Sequence, residues 1–177
     1  MLQNKTNINK VKMKGKKVKD SSLVTSHLML IGDAGNMIID KDSMPIGMVH
    51  GGKIMTLMDE IAGMVGARHS GRHVATAVIE KMQFFAPVFI GNRIILKASV
   101  NYTGKTSMEI GIRIEAENLI TRKTTHTNSC YLVAVAIDEK GMPTNVPEII
   151  PESDDEKRRY AEAEKRDRKR REERKND

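Results

Sequence analysis

Cysteine, aromatic residues and long apolar runs are scarce in this sequence, and each absence excludes a class of protein. The single Cys among 177 residues allows no intramolecular disulfide and no cysteine-rich metal site. No apolar segment approaches the roughly 18 to 20 residues that a membrane-spanning helix needs. Residues 1–20 also lack the apolar centre of a signal peptide. We therefore expect a cytoplasmic protein that inserts into no membrane.

The net charge of +7 is concentrated in one short segment. Residues 1–20 hold seven Lys and one Asp, residues 21–150 hold twelve residues of each sign, and residues 151–177 hold eleven basic and ten acidic residues. A Lys-rich segment of low hydrophobicity cannot bury enough apolar surface to fold. We therefore predict a disordered, solubilising tail over 1–20. Because the remaining chain is nearly neutral, we expect no nucleic-acid partner.

The pattern of apolar residues predicts one α+β domain over 21–150. One or two short strands are predicted within 21–40, followed by a Pro- and Gly-rich loop at 42–52 and a helix whose apolar positions span 54–65. Four segments rich in β-formers follow, at 73–85, 93–102, 107–118 and 128–138. Because the connections between them are short, we expect an antiparallel meander with the helix on its apolar face.

Strict alternation in 107–117 predicts that this strand has one packed face and one wet face. The packed face would carry Met108, Ile110, Ile112, Ile114 and Ala116, and the wet face Glu109, Gly111, Arg113, Glu115 and Glu117.

The segment 151–177 is predicted to be a charged C-terminal helix or tail. Ser153 and Glu156 have the spacing of a capping box, and acidic residues repeatedly precede basic ones by four positions. Because almost no apolar residues lie beyond Ala163, we expect docking onto the domain to be limited to the first turns.

The loop and the start of the helix carry the strongest chemical signal. Gly51 and Gly52 at the helix start expose backbone N–H groups that can hold a carbonyl oxygen as it becomes an oxyanion. Asp59 lies about two turns into a mostly apolar helix, too far along to cap it. In a cleft its carboxylate could act as general base or nucleophile; at the solvent edge, beside Glu60, it would be merely exposed. Together these groups suit hydrolysis of an activated acyl group.

The flank of the helix that carries Asp59 is otherwise built from small residues: Gly52, Thr56, Gly63 and Gly66. Small residues allow a ligand or another backbone to approach closely. Tight packing against the sheet or a partner helix is the alternative, and the spacing alone favours it.

Five short motifs follow one another along the chain: VHGG at 49–52, LMDE at 57–60, ARH at 67–69, PVFIGN at 87–92 and GKTSM at 104–108. In this combination they resemble the hotdog-fold acyl-CoA thioesterases, specifically the cytosolic acyl-CoA hydrolase branch, over roughly residues 43–160. The resemblance implies a long central helix wrapped by a curved antiparallel sheet. It also implies an enzyme that hydrolyses fatty acyl-CoA to a free fatty acid and coenzyme A.

The resemblance assigns roles to individual residues. Asp59 matches the catalytic carboxylate, and Gly51 and Gly52, with His50 beside them, match the segment that polarises the thioester carbonyl. Positions near the coenzyme A arm or its phosphates are matched by Thr76, Gly104, Lys105, Thr106 and Ser107. No metal and no cofactor is implied beyond the coenzyme A of the substrate. The active site is expected at a homodimer interface, with dimers assembling into a trimer of dimers.

One departure from the family pattern concerns an Asn. Two-domain relatives carry it in one repeat, at the position that we match to Met48, and carry the catalytic Asp in the other repeat. This chain resembles the Asp-bearing repeat, so a homodimer holds two copies of Asp59 and no matching Asn. His50, Thr76 or Gln83 could replace it, and the sequence does not choose among them.

Three other functions are compatible with parts of the sequence. The first is a non-catalytic acyl-CoA sensor on the same fold, with the basic N-terminal segment reaching toward nucleic acid or anionic lipid. A dehydratase would use His50 in the cleft, but LMDE and GKTSM argue against it. Cys130 with His126 could suggest a thiol nucleophile, yet four residues along a strand separate the two by about 13 Å. We interpret Cys130 as a small packed residue.

Overall fold

The computed structural model describes residues 13–38 and 46–174. Its elements, in chain order, are β1 (Lys16–Lys17), α1 (Val18–Ser21), β2 (Leu23–Leu28), a 3₁₀ turn (Ile31–Asp33), β3 (Ala34–Ile38), β4 (Ile46–Val49), α2 (Gly51–Ser70), β5 (His73–Phe84), β6 (Asn92–Thr103), β7 (Ser107–Asn118), β8 (Thr124–Ile137), β9 (Ile149–Ile150) and α3 (Asp154–Glu173). Part of the loop that was predicted at 42–52 forms strand β4. Residues 42–45 of that predicted loop lie outside the described residues. No helix in the described ranges is long and apolar enough to cross a membrane.

The long helix α2 forms where the apolar spacing predicts it. His50 caps its start by accepting a hydrogen bond from the Gly52 N–H, and Gly71 ends it in the left-handed conformation at φ 68°. The apolar stripe at Ile54, Met58 and Ile61 is almost completely buried. Burial of this stripe against the sheet stabilises the helix despite its glycines.

The four predicted strands exist, but their order differs from the predicted meander. The five-stranded antiparallel sheet has the order β2-β6-β7-β8-β5. Only β6, β7 and β8 are consecutive neighbours, so the predicted position of β5 beside β6 is wrong. The connection at 85–91 explains the difference. The Val49 N–H donates to the Val88 carbonyl and the Ile90 N–H donates to the Gly47 carbonyl, so the chain runs past β4 to the far side of the sheet.

The predicted alternation of β7 is confirmed on its packed face. All five residues from Met108 to Ala116 that were assigned to this face are buried, and they belong to the cluster that packs on α2. The opposite face departs from the prediction at Glu109, which is 1% exposed. Something therefore covers the outer face of the sheet at this residue.

The helix α3 covers that face. Arg166 donates two hydrogen bonds to Glu109, of 2.7 and 3.0 Å, and Arg170 pairs with Glu80 at 2.7 Å. The Arg166 guanidinium also stacks over the Tyr131 ring, 3.9 Å from its centroid. The expectation that docking is limited to the first turns is therefore wrong, because ion pairs rather than apolar contacts hold the later turns.

The N-terminal segment is ordered earlier than the sequence predicts. Lys16 and Lys17 form β1, which pairs in parallel with β9. The Lys16 ammonium donates to the carbonyls of Arg68 and His69, at 3.0 and 2.7 Å, at the C-terminal end of α2. A cation is favoured there because the last helix carbonyls lack partners. This contact orders part of the predicted 1–20 tail, while residues 1–12 lie outside the described residues.

Candidate active site

Asp59 and Thr76 are joined by a direct hydrogen bond. The Thr76 hydroxyl, on edge strand β5, donates to the Asp59 carboxylate, on α2, at 2.5 Å. Both residues are exposed in the single chain. The sequence-predicted carboxylate and one of its predicted neighbours are therefore together, 17 residues apart in sequence.

The surface around this pair is open and partly apolar. Met55 and Met64 on α2 are 41% and 46% exposed, and Ile79 on β5 is 43% exposed. A Cβ added at Gly63 would meet nothing within 4 Å, whereas one at Gly66 would contact Val74 at 3.4 Å. Of the two interpretations of the small residues, packing against the sheet holds for Gly66, and Gly63 faces open space.

The start of α2 is more occupied than the sequence suggests. The Gly52 N–H donates to His50 Nδ1 at 3.0 Å, so this predicted oxyanion donor already has a partner within the chain. Acceptance by Nδ1 requires that this nitrogen carries no proton. Gly51 lies against the ring of Phe84, 3.7 Å from where its Cβ would be. The two glycines and His50 therefore lie together, as predicted, and the His50 ring accepts the hydrogen bond of one of the two predicted donors.

A cavity of about 430 Å³ opens beside Gly51. Its walls are mostly apolar and come from β4, the start of α2, the last residue of β5 and the connection after it: Met48, Val49, Ile54, Phe84, Phe85, Ala86, Pro87 and Val88. One further wall residue, Asn128, is polar, and it was not predicted as a site residue. The signal was present, because Asn128 sits at an inward-facing position of β8 where the pattern calls for an apolar residue.

The GKTS turn lies on the same sheet as Thr76. Thr76 and Met108 both pair with Ala134, so the turn that precedes Met108 begins two strands away, about 10 Å from Thr76. Lys105, Thr106 and Ser107 line a second cavity of about 310 Å³. The end of α3 adds a set of mostly basic side chains to this cavity: Asp167, Arg170, Arg171 and Arg174. The sequence predicted no role for α3 in the site.

Two other candidates have different surroundings. Burial raises the pKa of the Cys130 thiol to about 11, which keeps it protonated and unreactive at neutral pH. Its interpretation as a packed residue agrees with this. Gln83 is exposed near the end of β5, opposite Ser129 rather than beside Asp59. Among the described residues, no three His, Cys, Asp or Glu side chains are grouped as metal ligands.

Sequence comparisons identify similar proteins. The family model described as the Thioesterase superfamily matches residues 46–122. Protein VdlD of Helicobacter pylori is 40% identical over 119 residues, which are 67% of this chain and 68% of that protein. The cytosolic acyl coenzyme A thioester hydrolase of Homo sapiens is 34% identical over 118 residues, 66% of this chain but only 31% of that longer protein.

Solved structures agree in fold. An apo-hexameric acyl-CoA thioesterase superposes with a TM-score of 0.79 at 34% identity, covering 90% of this chain and 97% of that one. The acyl-CoA hydrolase of Staphylococcus aureus, in complex with butyryl coenzyme A, coenzyme A and coenzyme A disulfide, gives 0.77 at 29% identity, covering 90% and 92%. The predicted α+β hotdog architecture and the resemblance drawn from the five motifs are confirmed.

Proposed function

Because the chain belongs to the thioesterase superfamily, we propose that it is an acyl-CoA thioesterase that hydrolyses fatty acyl-CoA to a free fatty acid and coenzyme A. The observation that carries this proposal is the hydrogen bond from Thr76 to Asp59, at the edge of an open surface. The reaction we propose takes place in the cytoplasm and uses no metal and no cofactor apart from the coenzyme A of the substrate.

The spacing of this pair matches residues that were altered in a relative. Structures of the S. aureus hydrolase include variants in which an Asp and a Thr 17 positions apart are each replaced by Ala, the separation of Asp59 and Thr76. A third variant replaces an Asn 15 positions before that Asp. The same count back from Asp59 gives Met44, outside the described residues, rather than Met48. Either way this chain has Met where the relative has an amide.

Asp59 is proposed to activate water. The Thr76 hydroxyl holds one carboxylate oxygen, which leaves the other free to take a proton from water. The water oxygen bonds to the thioester carbon, the carbon–sulfur bond breaks, and the proton held by Asp59 passes to the departing sulfur. The alternative is direct attack by the Asp59 carboxylate, followed by hydrolysis of the resulting anhydride.

The start of α2 is proposed to stabilise the oxyanion. The positive end of the helix dipole and the N–H groups of Gly51 and Gly52 favour negative charge there. Since His50 holds the Gly52 N–H in the free chain, the thioester oxygen would displace the imidazole from this donor. We propose that His50 keeps the donor oriented until substrate arrives.

The separation of Gly51 and Asp59 favours a site shared by two subunits. Eight residues of helix place them about 12 Å apart along the axis, too far for both to contact one thioester group. An antiparallel partner that covers the open face of α2 and the β5 edge would bring its own Gly51 to this Asp59. We therefore propose a homodimer with two active sites at its interface, assembled further into a trimer of dimers, as the neighbours described as hexameric suggest.

The cavity at the GKTS turn is proposed to hold the phosphates of coenzyme A. Its lining includes Lys105, Arg170, Arg171, Arg174 and the acidic Asp167. Arg170 is paired with Glu80 and Arg171 with Asp167, each at 2.7 Å. Arg171 also lies 2.9 Å from where a Cβ of Gly104 would be, so the turn and α3 are in close contact. Such a cluster suits the charged end of the substrate, which the flexible pantetheine arm separates from the thioester.

Release of free thiol from acyl-CoA tests the proposal. We expect turnover by the wild type across a panel of chain lengths, and a loss of at least about a hundredfold in kcat for Asp59→Ala and Asp59→Asn. Glu60→Gln is the matched control, since Glu60 is the neighbouring exposed carboxylate. The missing Asn favours one competing function, the acyl-CoA sensor. Tight acyl-CoA binding by the wild type with no thiol release would support the sensor instead.

A further inference from the structure

Asn128 occupies an unusual position for a polar residue. On β8 it pairs with Ile114, whose side chain packs on the face of the sheet that α2 covers, so Asn128 points to the same interior face. It is 1% exposed. Its backbone is fixed, because the Asn128 carbonyl lies 3.0 Å from His126 Nε2 and the residue pairs across the sheet with Phe84.

The amide of this side chain is unsatisfied. Within 13–38 and 46–174, neither the nitrogen nor the oxygen of the Asn128 amide has a hydrogen-bond partner. Buried polar groups are nearly always paired, and leaving both ends of an amide unpaired destabilises the folded state. A residue retained at such a cost is expected to be satisfied by something that the free chain lacks.

The surroundings indicate where that partner enters. Asn128 lines the cavity of about 430 Å³ that begins at Gly51, and the other side chains lining that cavity are apolar. An acyl group whose carbonyl lies at the start of α2 would extend along these walls and pass beside Asn128. A plain alkyl chain cannot satisfy either end of the amide. A hydroxyl can accept from Nδ2 and donate to Oδ1, and a keto oxygen can accept from Nδ2.

We propose that Asn128 makes this cavity selective for acyl groups that carry an oxygen substituent, such as hydroxyacyl or oxoacyl chains, over unsubstituted chains of equal length. The proposal rests on the thioesterase function and deepens it by naming the substrate class. The selectivity follows from the penalty on the wrong ligand, because a chain that leaves a buried amide unpaired loses binding energy in the transition state as well.

The test compares kcat/KM for matched pairs of acyl-CoA substrates that differ by one hydroxyl, placed at successive carbons from the third to the sixth. We expect the wild type to favour at least one hydroxyacyl substrate by about tenfold or more over its unsubstituted partner. Asn128→Leu should abolish that preference and raise kcat/KM for the unsubstituted chain, because this chain then leaves no buried amide unpaired. Asn145→Leu, the same change at an exposed Asn, should leave the preference intact.

Two further measurements test whether the unpaired Asn128 amide is the cause of the preference. Asn128→Leu should raise the Tm by a few degrees, because it removes an unpaired amide from an apolar wall. If the leucine variant does not fold, Asn128→Thr and Asn128→Val provide a nearly isosteric pair that differs in one hydroxyl, and only the threonine should keep a preference.

Two results would overturn the proposed selectivity but leave the thioesterase function standing. One is an equal fall in kcat for every substrate in Asn128→Leu, and the other is equal rates for the matched pairs in the wild type. No thiol release from any acyl-CoA would instead overturn the proposed function itself.

Discussion

The Thr76 hydroxyl donates to the Asp59 carboxylate at 2.5 Å and so links the edge strand β5 to the helix α2. The contact fixes which oxygen of the carboxylate is engaged and which remains available. It also connects the site to β5, which lies at one edge of the five-stranded sheet. In the proposed mechanism the Asp59 carboxylate is thus oriented within one subunit, and the proposed homodimer would complete its surroundings.

Replacing this hydroxyl tests its orienting role. Thr76→Val keeps the shape of the side chain and removes the donor, so kcat should fall about tenfold with little change in KM. Thr76→Ser should restore most of the rate because it keeps the hydroxyl. Unaltered steady-state kinetics in the valine variant would show that Asp59 needs no help from β5.

The basic cavity predicts a defect that depends on the charged end of the substrate. Lys105→Gln should raise KM for acyl-CoA about fivefold and leave the hydrolysis of the matching acyl-pantetheine unchanged, because only the former carries the nucleotide phosphates. Lys140→Gln, which alters an exposed Lys outside the cavity, is the control. Equal defects on both substrates would place Lys105 near the thioester instead of the phosphates.

The buried Glu109 predicts a role for α3 in stability. The Glu109 side chain is completely buried, and the Arg166 guanidinium lies 2.7 Å from its carboxylate. Arg166→Gln should lower the free energy of unfolding by about 2 kcal/mol, since Arg170 only partly compensates for the lost charge. Arg168→Gln, at an exposed position of the same helix, should change it by less than about 0.5 kcal/mol in urea denaturation. Similar values for both variants would mean that the ion pair contributes nothing.

His69 predicts how stability depends on pH. Burial lowers the pKa of His69, whose ring nitrogens lie 3.1 Å from Ser21 Oγ and 2.9 Å from the Pro147 carbonyl. In the unfolded chain His69 binds a proton as pH falls through about 6.5, whereas in the folded chain it binds one only at lower pH. The free energy of unfolding therefore has its full value above about pH 6.5 and decreases as the pH falls below it.

Urea denaturation of the wild type and His69→Gln across this range measures the effect. The free energy of unfolding should change with pH clearly less steeply in His69→Gln than in the wild type. Parallel slopes would assign the pH dependence to other groups.

The sequence predicted the parts of this fold that depend on local pattern. Helix α2 and the inward face of β7 follow from spacing alone, because burial on one side imposes a period of 3.6 or 2 residues. The position of β5 beside β8 was not predictable in this way, since strand order depends on how the connection at 85–91 runs past β4.

The site divides in the same manner. Asp59 and the glycines at the start of α2 could be found from residue type and motif order. The burial of Glu109 and the position of Asn128 in the cavity wall were not predicted, although both are polar residues in the interior. The partner of Glu109 is supplied by a helix with too few apolar residues to predict docking, and the significance of Asn128 emerges only when its missing hydrogen bonds are seen.

Asp59 of one subunit is proposed to act with the Gly51 N–H of its partner. Gly51→Pro removes that N–H at the first helical position, where proline is tolerated, and His50 already has the extended conformation that proline requires before it. Asp59→Ala and Gly51→Pro should each be nearly inactive alone. After subunit exchange, the equimolar mixture should recover about one quarter of wild-type thiol release, because half of the dimers then contain one intact site. No recovery in a mixture that demonstrably contains mixed dimers would contradict the shared site.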